Sequence, residues 1–195
     1  REKVDSLEAK EDRSNILRIF KDAKGAILKD NWMKLKDLSN QTLHSAAIHQ
    51  DTLNIITAVL VYAMSKVLQR DNYKRMEGWD EFYKALVENW DKAIVSLENG
   101  DEDKAILAAG RIRESLNEIS SDLATYIKDV FRKAEINKAF KLYEHGLTAQ
   151  STAELLGVSL WDLATYMGQS TISEAHVSQS LPEAERIKYV EDIFG

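Results

Sequence analysis

Cysteine is absent from the 195 residues, so the fold contains no disulfide, and thiol nucleophiles, Cys-type zinc sites and iron–sulfur clusters are excluded. Proline occurs once and glycine eight times. Sandwiches and barrels need a turn residue roughly every ten positions, so this scarcity points instead to long uninterrupted helices. No apolar run is long enough to cross a bilayer. The most apolar stretch, Leu53 to Met64 (LNIITAVLVYAM), falls short of the roughly 20 residues required and reads as the central helix of a bundle. The opening residues Arg1-Glu2-Lys3-Val4-Asp5 lack the apolar segment of a signal peptide, so a cytoplasmic protein with no membrane association is expected. Also missing are a phosphate-cradling glycine loop, a GxSxG elbow, a dinucleotide fingerprint and any HExxH spacing. No cofactor, metal or enzymatic activity is therefore expected.

What is present is a chain with a formal net charge of −6, 44% hydrophobic and 30% charged residues, the composition of a soluble globular protein. Its length allows one domain, or one domain with a small appended module. Over 4–29, Leu17, Phe20, Ala23, Ile27 and Leu28 recur at helical spacing opposite a face of mixed charge. A second helix over 31–49 uses Leu35, Leu38, Thr42, Leu43, Ala46 and Ala47. Asp51 or Thr52 can cap a third over 52–69, which is apolar nearly all round. The stretch 70–78 reads as a loop, and 79–97 as a helix with Phe82, Leu86, Val87, Trp90, Ala93, Ile94 and Leu97 on its apolar side. Asn99-Gly100-Asp101 closes that helix and opens the next. From Asp103 to about Tyr143, one long helix or two joined near Ser120-Ser121 is expected, with the stripe Ile106, Ile112, Leu116, Ile119, Leu123, Ile127, Val130 and Phe131.

One stretch is more specific. After His145-Gly146 comes LTAQSTAELLGVSLWDLATYMG, residues 147–168, which reads as helix, tight turn, helix. Ala153 is small where two helices approach, and Gly157 stands where the chain turns. Leu156, Val158, Leu160 and Leu163 are apolar where the crossing must be locked. Thr148 is an N-cap for the first helix, and Ser159 with Asp162 three residues on caps the second.

Residues 135–170 on this pattern resemble the helix-turn-helix module of small prokaryotic antitoxin-like regulators; residues 1–134 carry no such resemblance. The resemblance implies that the second helix enters the major groove of double-stranded DNA, with Ser159, Trp161, Asp162 and Thr165 toward bases and Gln150, Ser151 and Thr152 near phosphates. The entering helix adds Lys128, Arg132, Lys133, Lys138 and Lys141 against Asp129 and Glu135, a candidate phosphate-contact stripe. The same residues also fit a solvated helix face. The reading set is poor in chemistry, since the second helix has no Arg, Lys or Asn and no Gln before Gln169, while Lys141 is outnumbered by Glu144, Glu154 and Asp162. Trp161 is read as a core residue, with a protein-interface role if it is exposed.

Other constellations are weaker. His44 and His49 are five apart, about 500° of helix rotation, and point away from each other. Asp37 and His44 share a face and suit a hydrogen-bonded pair, or with Tyr62 a ligand pocket in the bundle interior. Glu114, Glu118 and Asp122 are expected along one helix face as solvated carboxylates. In the tail, 171–195, Ser180-Leu181-Pro182-Glu183 starts a last helix over 182–193 whose stripe Ile187, Val190 and Phe194 either packs on the bundle or makes a homodimer.

The fold class expected is all-α: an N-terminal helical bundle (1–134), a helix-turn-helix-like module (135–170) and the tail. The function expected is that of a non-enzymatic regulator or adaptor that contacts DNA through the module. The alternative is a protein–protein interaction or homo-oligomerisation protein with a protein partner and no nucleic acid.

Overall fold

Polar caps and left-handed C-terminal residues divide the chain. The computed structural model describes residues 2–119, 121–156 and 158–174. Among these, every regular element is helical: α1 (Glu2–Leu28), α2 (Trp32–His49), α3 (Thr52–Leu68), α4 (Trp79–Glu98), α5 (Glu102–Glu114), α6 (Asp122–Glu144), α7 (Ala149–Leu156) and α8 (Leu160–Glu174), with 3-10 turns at Tyr73–Arg75 and Ser115–Asn117. Asn31, Asp51 and Asp101 accept bonds from the backbone N–H of Lys34, Asn54 and Lys104, and so satisfy donors that the first turns of α2, α3 and α5 leave open. At the other ends, α1 and α4 close by the same pair of bonds. Asn31 N–H reaches Ala26 O (2.8 Å) and Asp101 N–H reaches Ser96 O (2.8 Å) around left-handed Asp30 (φ 54°) and Gly100 (φ 74°). No described helix is long and apolar enough to cross a membrane. The last helix expected at 182–193, with Ile187, Val190 and Phe194, lies outside the described residues, as does the turn glycine Gly157.

The chain divides into two packing units between Ala134 and Glu135, a division that falls within α6. In the first, α3 is the central element. Leu53, Ile55, Ala58, Val59, Leu60, Val61, Ala63, Met64, Val67 and Leu68 are all buried, and it packs on α1, α2 and α5. Its approach to α2 is close enough for the Ser39 hydroxyl to donate to Ala58 O at 2.9 Å. Thr42, Thr57 and Ser65 donate to carbonyls three or four residues back on their own helices, so these buried hydroxyls carry no desolvation penalty. The α1–α4 contact centres on Trp90. This side chain is fully buried, its indole N–H donates to Phe20 O at 2.9 Å, and its ring lies 5.2 Å from that of Phe20. Such a residue contributes through area, ring contact and hydrogen bond together. Lys74 straddles Asp30 and Asp71 at 2.5 and 3.1 Å and ties the 70–78 loop to the α1–α2 turn. Burial pulls its pKa down, and the two carboxylate hydrogen bonds outweigh that and raise it overall.

Three expectations need correction, and a fourth is met in its second form. On α1 the core face is Ile16, Ile19, Phe20, Ala23, Ala26 and Ile27. Leu28 is exposed, because it follows buried Ile27 by about 100° of helix rotation and so lies off the core face. The 70–78 loop is partly ordered as a 3-10 turn that buries Tyr73, whose ring stacks 6.0 Å from Tyr126 of α6. Of the two forms expected over 103–143, the two-helix form is found: α5 stops at Glu114, a 3-10 turn follows, and α6 starts at Asp122. Glu114, Glu118 and Asp122 therefore lie on three different pieces of backbone and share no helix face.

Two substitutions test this packing. Trp90→Ala removes the largest buried side chain and is expected to lower unfolding free energy by about 3–5 kcal/mol, with Trp90→Phe in between, read by urea denaturation. Gly78, the residue preceding α4, has φ 89°, and a Cβ there would stand 2.5 Å from Ile119 Cγ2. Gly78→Ala meets both a left-handed backbone and a stiff branched side chain, and is expected to cost at least about 1–2 kcal/mol in the same assay.

Candidate functional site

The second unit is assembled from the end of α6, α7 and α8. At the end of α6, Gly146 (φ 99°) lets its own N–H reach Tyr143 O and the Leu147 N–H reach Leu142 O, which turns the chain sharply. The Thr148 hydroxyl then accepts from Ser151 N–H at 3.0 Å and starts α7. The end of α7 is closed by Val158 N–H on Ala153 O at 3.1 Å. At the start of α8, Ser159 Oγ accepts from Asp162 N–H (3.0 Å) and donates to Asp162 Oδ2 (2.9 Å). The helices close on a small core of Ala139, Ala149 and Leu163, flanked by Phe140, Tyr143, Leu156, Val158 and Met167. Tyr166 reinforces it from α8, with its ring edge-on to Phe140 at 5.5 Å and its hydroxyl accepting from Asn137 Nδ2 at 2.7 Å.

The candidate base-reading and phosphate-contacting residues fall into distinct environments. Ser159 is closed on Asp162, and the Thr165 hydroxyl donates back to Trp161 O at 2.9 Å. Gln150 donates to Glu154 at 3.0 Å, and Ser151 is half-buried with its N–H on the Thr148 cap. Thr152 is fully buried, its hydroxyl on Thr148 O. Lys138 is only 2% exposed, so its ammonium is not displayed to a phosphate. Lys133 pairs with Asp129 and Lys141 with Glu144, each at 2.7 Å. Lys128 and Arg132 remain exposed in the first unit, where with Arg113, Asn117, Glu114 and Asp129 they line a cavity of about 590 Å³.

Trp161 is the exception, and it corrects the expectation of a core residue. It is 68% exposed in the first turn of α8. The reason is angular: the core face of α8 is set by Leu163 and Met167, and Trp161, two residues before Leu163, lies about 200° from it. The helices α7 and α8 that present this indole carry Glu154, Asp162 and Glu174 and no Lys or Arg.

The interior ligand pocket around Asp37, His44 and Tyr62 does not form. Asp37 and His44 are exposed on α2 with no hydrogen bond between them among the described residues, and Tyr62 is half-buried on α3. Among the described residues no group of three or more His, Asp or Glu side chains is arranged to hold a metal ion. Comparison with protein-family models, curated proteins and solved structures finds no match to this chain.

Tyr166→Phe keeps the ring contact and loses only the Asn137 bond, so a loss of about 0.5–1.5 kcal/mol is expected, whereas Leu163→Ala, which opens the small core, should cost about 2–5 kcal/mol; thermal melting of the full chain separates the two.

Proposed function

We propose that this chain is a non-enzymatic adaptor or regulator whose helix-turn-helix-like C-terminal unit docks a protein partner through Trp161. The observation that carries this reading is the 68% exposure of that indole on a surface whose neighbouring hydroxyls and amide are closed on their own helices. Tryptophan is an enriched interface anchor because it buries a large rigid surface at little entropic cost, and exposed tryptophan costs solvation free energy while the partner is absent. The negative charge balance of α7 and α8 favours a basic partner and opposes a phosphate backbone, whose binding rests on cation contacts and counterion release.

Contact with double-stranded DNA is the second reading. It is favoured by the exposure of Lys128 and Arg132 and by the order of helices over 135–170. In that mechanism the phosphate contacts fall to α6 cations and the base contacts to Ser159, Trp161 and Thr165.

Fluorescence anisotropy with a labelled mixed-sequence duplex at roughly 50 and 200 mM salt separates the two, because phosphate contacts weaken steeply over that range while an apolar interface responds little. Absence of duplex binding at both concentrations is the expected result; binding that collapses at the higher salt would assign the function to DNA. Trp161→Ser is expected to leave melting within about 0.5 kcal/mol of the parent, as for an exposed position, and to abolish salt-resistant recovery of the partner from source-cell lysate. Sedimentation of the parent and this variant identifies the case in which the partner is a second copy.

A further inference from the structure

Among the described residues, the α4–α5 hairpin carries an open apolar groove with a mainly basic rim. On α5, Lys104, Leu107, Ala108 and Arg111 stand at i, i+3, i+4 and i+7, and so form one stripe down the outer face. On α4, Lys92, Val95 and Ser96 form the facing stripe, and the two line a cavity of about 540 Å³. Leu107 is 60% exposed and Val95 54%, so the floor is two aliphatic side chains left in water. The rim is positive. Its acidic member, Asp91, is ion-paired with Lys24 of α1, and Lys104 is held at 2.7 Å by the α5 cap Asp101, whose hydrogen bond raises the lysine pKa. Lys92 and Arg111 have no ion-pair partner among the described residues.

We propose that this groove docks an acidic amphipathic helix of a partner protein. The stripe from Lys104 to Arg111 covers seven residues of rise, about 10 Å, which matches two turns of a bound helix with apolar anchors at i, i+3 or i+4, and i+7. Such a helix would cover Val95 and Leu107 as a third member of the hairpin. Its flanking Asp and Glu side chains meet Lys92 on one side and Arg111 on the other. Arg111 is suited to this because a guanidinium takes a carboxylate through two parallel bonds. The apolar floor argues against a nucleic-acid backbone, which needs cations in series and gains nothing from Leu107 and Val95. The groove lies wholly in the first unit and shares no residue with the Trp161 surface, so it stands whether or not that reading does.

The test is a displayed library of random peptides of about 15 residues, enough for four helical turns, panned on the immobilised full chain and in parallel on Leu107→Ser, Val95→Ser and Arg111→Glu. Circular dichroism establishes that each variant is folded, and the two apolar substitutions lie on different helices, so one remains informative if the other fails to fold. The expected result is enrichment of Asp/Glu-rich sequences with apolar residues at helical period, bound to the parent at least about tenfold more tightly than to either serine variant. These sequences should also lose affinity for Arg111→Glu. The proposal is overturned if the library yields no enrichment, if the enriched peptides are basic or aperiodic, or if both serine variants retain them as well as the parent does. Self-association of the parent that Leu107→Ser abolishes would assign the groove to a second copy and overturn it equally.

Discussion

Trp90 is the constraint on which the first unit depends. An indole has one polar atom, and burying it without a partner would forfeit much of what the ring contributes. The carbonyl of Phe20 supplies that partner at 2.9 Å, while the Phe20 ring tilts against the indole. One side chain of α4 thereby sets its height along α1. The position of α3 follows, because α1 and α2 must both cover a helix whose surface is almost wholly apolar. The turns obey the same economy. Left-handed Asp30, Gly78 and Gly100 stand where the chain reverses or enters a helix, and Lys74 then ties the loop after α3 to the turn before α2.

The second unit is stabilised by a different balance. Its core is small, built of two alanines and a leucine with aromatic and aliphatic cover, and its polar side chains are largely closed within their own helical turns. That closure has a functional consequence. A hydroxyl already donating to a carbonyl on its own helix offers a base edge little, since binding must first break that bond. What α8 displays without a counterpart among the described residues is hydrophobic area at Trp161, and such area is answered by another apolar surface.

Much of this was legible in the sequence because helices announce themselves locally. The scarcity of glycine and proline, the 3.6-residue recurrence of apolar side chains, and caps such as Asp51, Asp101, Thr148 and Ser159 act within a few residues, and each stands where the chain order placed it. The all-helical class followed from them. Less legible were the breaks that depend on distant atoms. Nothing local in Ser115-Leu116-Asn117 demands that α5 stop there. The interruption is held by Ser121 donating to Glu77 O at 3.0 Å and by the close approach of Ile119 to Gly78.

The candidate surfaces divide in the same way. Residue types alone determined that this chain has no thiol chemistry, an acidic balance, and a C-terminal segment poor in base-reading side chains, since these are properties of composition. Only the tertiary structure decided that Lys138 is buried while Trp161 is exposed, and that Val95 and Leu107, twelve residues apart in sequence, share one groove between Lys92 and Arg111. Helical periodicity states which residues lie on the same side of one helix. Which side meets a neighbour, and which is left to water, is settled by packing between helices, and there the indole of Trp161 lost its place in the core to Leu163.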